Sequence, residues 1–169
     1  MTNLKRRLEI AAQAAWEAGK VTLRHFQTRL AVELKGDRTP VTVADRESEA
    51  TLRSILLKEF PGDGFLGEES GESLGTTGLR WVVDPIDGTK SFVQGVPLYG
   101  VMVALEDSAG EALVGAVCLP ALSDLVVAGK GEGCFWNGRR ASVSTVPSLA
   151  QSCVCYTSER TFEQAGAAD

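Results

Sequence analysis

A single histidine, His25, occurs in the 169 residues. Metal clusters built on histidine are therefore excluded, and on an early helix His25 reads as a partly exposed or satisfied side chain, not a catalytic base. The four cysteines, Cys118, Cys134, Cys153 and Cys155, have neither CxxC nor Cys/His finger spacing. Three of them lie in or near apolar, strand-like runs, so buried free thiols are expected. No basic block exists that could track a phosphate backbone, and 17 Lys and Arg against 22 Asp and Glu leave a net charge of −5, so nucleic acid is excluded as the main ligand. No apolar run approaches spanning length: charges interrupt MTNLKRRLEIAAQAAWEAG at the N-terminus, and no signal-peptide core or cleavage pattern follows it. No membrane partner and a cytoplasmic location are expected. GxxxxGK[ST] is absent and Gly131-x-Gly133 lacks a third glycine, so nucleotide-binding loops have no support. There is no internal repeat and no low-complexity stretch.

The composition that remains, 44% hydrophobic and 23% charged, is ordinary globular usage and can hold a core. The length fits one domain and is too short for two full ones with a deep cleft between them. An acidic protein that handles an anionic substrate needs a positive intermediary, most economically a divalent cation.

From Thr2 to about Phe26, Leu4, Leu8, Ala11, Ala15, Thr22 and Phe26 recur at helical spacing with charged residues between them, which predicts an amphipathic helix with a mostly small-residue face for close packing. A second helix is predicted from about Thr42 to Phe60, with Leu52, Ile55, Leu56 and Phe60 inward and Pro61-Gly62 ending it. LKGDRTPVTV between them reads as a loop or short extended piece. Beyond Pro61 the pattern changes to short β runs, GFLGEE, LRWVVD, LYGVMVALE, ALVGAVCL, DLVVAGK and GCFWN, with short gaps that suit antiparallel pairing. Asn137-Gly138 signals a two-residue hairpin folding GCFW onto RRASVS. TSERTFEQAGAAD reads as the start of another helix. The fold class is α+β, two helices packed on an antiparallel sheet.

The densest chemical feature is WVVDPIDGTKSF. A strand delivers Asp84, Pro85 is expected to break it, and the curl lets Asp84 and Asp87 converge on one cation. Hard oxygen donors favour magnesium or manganese over zinc. Gly88 permits close backbone approach, and the Gly88 and Thr89 amides would cradle an anion. The alternative is a plain surface turn, since Asp, Pro and Gly are common turn residues. GFLGEES adds Glu68 and Glu69 directly after an apolar strand, where a solvated edge is the alternative. Thr42-x-x-Asp45 is a capping-box pattern at a predicted helix start, a role that can coexist with a catalytic one.

TVAD at 42–45, GEES at 67–70 and WVVDPIDGTKSF at 81–92, in that order, resemble the magnesium-dependent, lithium-sensitive phosphatases of the inositol monophosphatase family. Lys90-Ser91-Phe92 and the following GVPLYG are most similar to its bacterial histidinol-phosphate phosphatase branch. The resemblance implies that Glu68, Asp84, Asp87 and the carbonyl of Ile86 bind Mg2+, with Mn2+ as the other candidate, and that Asp84 bridges two ions. Thr89 and Asp45 would orient or deprotonate the attacking water, with Glu68 beside them. The Gly88 and Thr89 amides would hold the phosphate, and Glu69 would support the metal site. The implied function is phosphomonoester hydrolysis of a small phosphorylated substrate, histidinol phosphate in the first instance and inositol 1-phosphate or another sugar or nucleotide monophosphate as the alternative. The complete protein is expected to be a homodimer. The resemblance also implies that residues 1–169 form one N-terminal lobe of an αβαβα sugar-phosphatase-like fold. No counterpart of the family's second-lobe Trp-Asp-x-Ala motif occurs, because Trp16, Trp81 and Trp136 precede Glu, Val and Asn.

Other chemistries fit less well. Haloacid-dehalogenase phosphatases use Asp-x-Asp, whereas two residues separate Asp84 from Asp87. Cys134 to Arg140 matches a Cys-x5-Arg thiol phosphatase in spacing only, since Asn137-Gly138 reads as a hairpin and Gly133 stands where a histidine is usual. A non-catalytic interaction protein that keeps the metal lobe is the reading from another class.

Overall fold

Asn3 opens helix α1 (Leu4–His25), its side-chain oxygen accepting the Arg6 amide at 3.0 Å. The computed structural model describes residues 3–29, 31–34, 36 and 40–153, so the helix expected in TSERTFEQAGAAD lies outside the described residues. Two short strands, β1 (Glu33–Leu34) and β2 (Pro40–Val41), pair antiparallel. Thr42 then caps helix α2 (Val43–Glu59), which stops at Phe60 before the predicted Pro61-Gly62 terminator.

Eight further strands form one sheet: β3 (Gly64–Gly67), β4 (Gly71–Ser73), β5 (Leu79–Asp87), β6 (Gly100–Asp107), β7 (Ala112–Leu119), β8 (Asp124–Gly129), β9 (Gly133–Trp136) and β10 (Arg139–Ala141). A short helix, α3 (Thr89–Val93), follows β5. The order across the sheet is β10-β9-β8-β7-β6-β5-β3-β4. The predicted hairpin is present: Trp136 pairs with Arg139 across Asn137-Gly138, and both loop residues have positive φ, 47° and 77°. The sheet is mostly antiparallel, as expected, with one exception: β3 and β5 run parallel, Phe65 opposite Trp81 and Gly67 opposite Val83. The chain leaves β3 through the β4 hairpin on its outer side and returns to place β5 on its inner side. That route makes consecutive runs with short gaps into parallel neighbours. Its consequence is that the ends of β3 and β5 point the same way, so Glu68 and Asp84 emerge at one edge.

The core lies between the sheet and both helices. Ala11, Ala14, Ala15 and Ala18 of α1 and Leu52 and Leu56 of α2 are fully buried against Phe65, Trp81, Val101, Leu105 and their neighbours. The small α1 face is thus a close-packing surface, as its alanines predict. Partly exposed Arg80 and Val82 alternate with buried Trp81 and Val83 along β5, so one sheet face carries the helices.

A buried polar staple ties α1 to the start of β3. The Asp63 carboxylate is paired with the Arg7 guanidinium and also accepts the Trp81 indole N–H at 3.0 Å and the Thr77 hydroxyl at 2.6 Å. The Arg7 guanidinium carbon stands 4.2 Å from the centre of the Phe60 ring. Asp63→Ala would leave that cation buried without its anion, and a loss of about 3–5 kcal/mol is expected. Urea unfolding of the variant against the parent measures it, and a loss below about 1 kcal/mol would show that the staple contributes no more than a surface pair.

His25 is satisfied as expected, its Nε2 lying 2.9 Å from Glu47 Oε2. The cysteine expectation holds for Cys118, which is buried and whose thiol burial pushes up to about 11. It is corrected for Cys134, half-buried, and for Cys153, exposed. Cys134 lies on β9, one strand in from the sheet's edge, and Cys153 follows the last strand. Cys155 lies outside the described residues.

Candidate active site

Trp81 and Val83 anchor β5 in the core and carry the strand outward to Asp84. Pro85 does not end the strand as expected. β5 continues to Asp87, and its register against β6 slips between Asp84, opposite Met102, and Asp87, opposite Gly100. Three steps on β5 match two on β6, which is a bulge. Proline is tolerated at such a place because the bulged residue owes no ladder hydrogen bond. The extra residue also shifts the strand's alternation, so two carboxylates three apart no longer have to face opposite sides of the sheet.

The turn that follows is tightly bonded. Asp84 Oδ1 accepts the Ile86 amide at 3.0 Å, and the Thr89 hydroxyl donates to the Ile86 carbonyl at 3.0 Å. Gly88 caps α3 with φ 83°, a left-handed conformation suited to glycine, and a Cβ there would lie 3.2 Å from the Leu98 carbonyl oxygen. Beneath α3, buried Phe92 meets Tyr99 edge to face at 4.9 Å, and Phe26 closes the group. The Tyr99 and Thr22 hydroxyls lie 3.2 Å apart, tying this aromatic floor to α1.

Asp45 enters from the first turn of α2. One of its oxygens, Oδ2, accepts both the amide and the hydroxyl of Thr42 at 2.7 Å, which realises the capping box expected from the sequence. Asp45 is only 2% exposed. Burial pushes its carboxyl up, the Thr42 bonds oppose that, and the charge of Glu68 adds to the rise. Glu68 stands exposed just past β3 and hydrogen-bonds with Asp84. Asp84 is pushed up to about 7, first by burial, then by the charge of Glu68 and more weakly by Asp87, against the lowering effect of the Ile86 amide.

Asp45, Glu68, Asp84 and Asp87 thus share one electrostatic neighbourhood, brought together from α2, the β3 end and the β5 end. Among the described residues, no group of three or more His, Cys, Asp or Glu side chains is arranged to hold a metal ion. The donor set nevertheless fits a hard divalent cation in its chemistry. It consists of carboxylate, carbonyl and hydroxyl oxygens, and the repulsion from Glu68 and Asp87 that adds to burial in raising Asp84 is what a cation would relieve.

Two residues that sequence reasoning passed over complete the neighbourhood. Ser48 and Glu49 follow Asp45 by three and four positions, on the helix face that carries Leu52 and Leu56 inward. The Ser48 hydroxyl donates to the Pro85 carbonyl at 3.1 Å. The Glu49 carboxylate accepts the Glu69 and Ser70 amides, each at 2.7 Å. The available signal was a pair of polar residues on an otherwise apolar inward face, one turn after Asp45.

The model of the inositol monophosphatase family matches residues 3–167. A histidinol-phosphatase of Chlorobaculum parvum is 46% identical over 151 residues, 89% of this chain and 58% of that protein. An inositol-1-monophosphatase of Rhizobium meliloti is 43% identical over 151 residues, 87% of this chain and 56% of that one. The solved structure of an inositol monophosphatase from Zymomonas mobilis superposes with a TM-score of 0.80 at 30% identity, covering 99% of this chain and 64% of that one. The chain therefore spans little more than half the length of the curated relatives it matches. By its motifs, its α+β fold and these similarities, the chain belongs to the inositol monophosphatase family.

Proposed function

We propose that the complete protein is a magnesium-dependent phosphomonoester hydrolase acting on histidinol phosphate. The observation that carries this reading is the hydrogen bond between Glu68 and Asp84, within the charge field of Asp87, at the bulged end of β5 beside the Gly88 turn. Glu68, Asp84, Asp87 and the Ile86 carbonyl would hold Mg2+, or Mn2+ in its place, with Glu69 supporting the group. When bound, the cation supplies charge neutralisation on the phosphoryl group and on the departing oxygen. The Gly88 and Thr89 amides, set by the left-handed conformation at Gly88, orient the phosphate. The Thr89 hydroxyl positions a water and the Asp45 carboxylate accepts its proton; the Asp45 oxygen not engaged by Thr42 is the one suited to that task.

The histidinol branch rests on Lys90-Ser91-Phe92, on GVPLYG and on the name of the Chlorobaculum relative. Inositol 1-phosphate is the second reading, favoured by the name of the Rhizobium relative. A homodimer and a cytoplasmic location belong to the same proposal. No helix among the described residues is long and apolar enough to cross a membrane. Phosphate release by the complete protein is expected to require Mg2+ and to vanish with chelator. kcat/KM for histidinol phosphate is expected to exceed that for inositol 1-phosphate by tenfold or more, about 1.4 kcal/mol of discrimination. A preference for inositol 1-phosphate would overturn the branch assignment and leave the reaction class intact.

A further inference from the structure

Helix α2 reaches both acidic loops through three adjacent inward polar residues. Asp45 faces the site, Ser48 bonds the Pro85 carbonyl of the β5 bulge, and Glu49 bonds the loop after β3. Glu49 is 3% exposed, so its carboxylate spends both oxygens on the consecutive amides of Glu69 and Ser70 in a place that water scarcely reaches. On the other side of Glu68, a Cβ added to Gly67 would lie 2.5 Å from the Glu49 carboxylate carbon. Glu68 is therefore bracketed: the residue before it lies against the carboxylate, and the amide after it donates to the carboxylate.

From this bracketing we infer that Glu49 is a positioning residue, which fixes the height of Glu68 relative to Asp84 and so sets the affinity of the site for a divalent cation. The inference rests on the cation-site reading proposed above. A buried carboxylate accepting two amide N–H groups makes short, charge-assisted bonds and offers only acceptors, which two parallel donors require. A carboxamide cannot replace it. One end of a glutamine would turn N–H groups toward an amide N–H, leaving a buried donor unpaired and pushing the loop away. Ser48 performs the complementary task on the β5 side, so one helix gauges the distance between the two halves of the acidic group.

Glu49→Gln and Gly67→Ala test this together. Glutamine removes a negative charge as well as the loop contact, whereas Gly67→Ala keeps the charge and only displaces the carboxylate from the amides. Gly67 lies in a strand without positive φ, so alanine introduces no backbone strain there. Mn2+ titration of the complete, cation-free protein, read by electron paramagnetic resonance, is expected to show a Kd raised about 10-fold to 100-fold in each variant, the range for outer partners that orient metal ligands. The double variant is expected to bind no more weakly than the weaker single one, because both changes break the same contact. Circular dichroism reports folding; if Glu49→Gln fails to fold, Gly67→Ala alone carries the test. A Kd within twofold of the parent in the folded variants overturns the inference, as does full additivity in the double variant. Mn2+ binding in the parent that is indifferent to Asp84→Asn would instead overturn the cation-site reading, and the inference with it.

Discussion

Asp84→Asn is expected to lower divalent-cation-dependent phosphate release by about a thousandfold or more, since loss of the proposed direct ligand should exceed the 10–100-fold cost of losing an outer partner. The fold should survive, because asparagine retains an oxygen for the Ile86 amide that Asp84 now bonds at 3.0 Å. The same substitution has a distinct signature in pH. Asp84 titrates near 7 in the cation-free protein, where burial and the charge of Glu68 hold its proton. A cation must displace that proton, so Mn2+ affinity is expected to fall as pH drops below about 7, and this dependence should be absent in Asp84→Asn. For stability the sign is opposite to that of a salt-bridged aspartate. The unfolded chain ionises near the ordinary value of 3.8 and the folded one near 7, so cation-free stability falls as pH rises through that window. The Asp84→Asn variant escapes this penalty, and without cation it is expected to melt higher than the parent at pH 8. Near-parent turnover at saturating Mg2+, or a lower melting temperature at pH 8, would show that Asp84 carries neither the charge conflict nor the cation.

Thr89→Ala and Asp45→Asn are each expected to cost about 10²-fold to 10⁴-fold in kcat, the range for a positioned proton acceptor, with smaller effects on Mn2+ affinity. Thr89→Ala also frees the Ile86 carbonyl from the Thr89 hydroxyl, and Asp45→Asn keeps an oxygen for Thr42, so the α2 cap should weaken little. If the two side chains act on one water, the double variant should be scarcely worse than either single one. Additive losses, or a loss in Asp45→Asn that tracks its melting temperature, would reduce Asp45 to a helix cap.

Much of this site is legible in the sequence. The Thr42–Asp45 capping box, the Asn137-Gly138 hairpin and the Gly88 turn are local features, each specified by residues within four positions. The helices follow from periodicity, and the family follows from three short motifs in order. Local chemistry fixes such features because the interacting groups cannot move far from one another along the chain.

Features that depend on which strands become neighbours are hidden there. Whether β3 meets β5 parallel or antiparallel is settled by the β4 detour, and nothing in GFLG or LRWVVD differs between the two. Pro85 reads as a strand breaker only while a ladder is assumed on both sides of it; the register slip against β6 relieves that demand. Cys153 reads as buried from its apolar neighbours, but burial is a property of what covers a residue. Glu49 is the plainest case. Its sequence neighbours mark it as one more polar position on a helix, and its partners lie 20 and 21 residues away. Its task exists only once α2 packs across the ends of β3 and β5, because a carboxylate acquires a structural role from the donors that packing delivers to it.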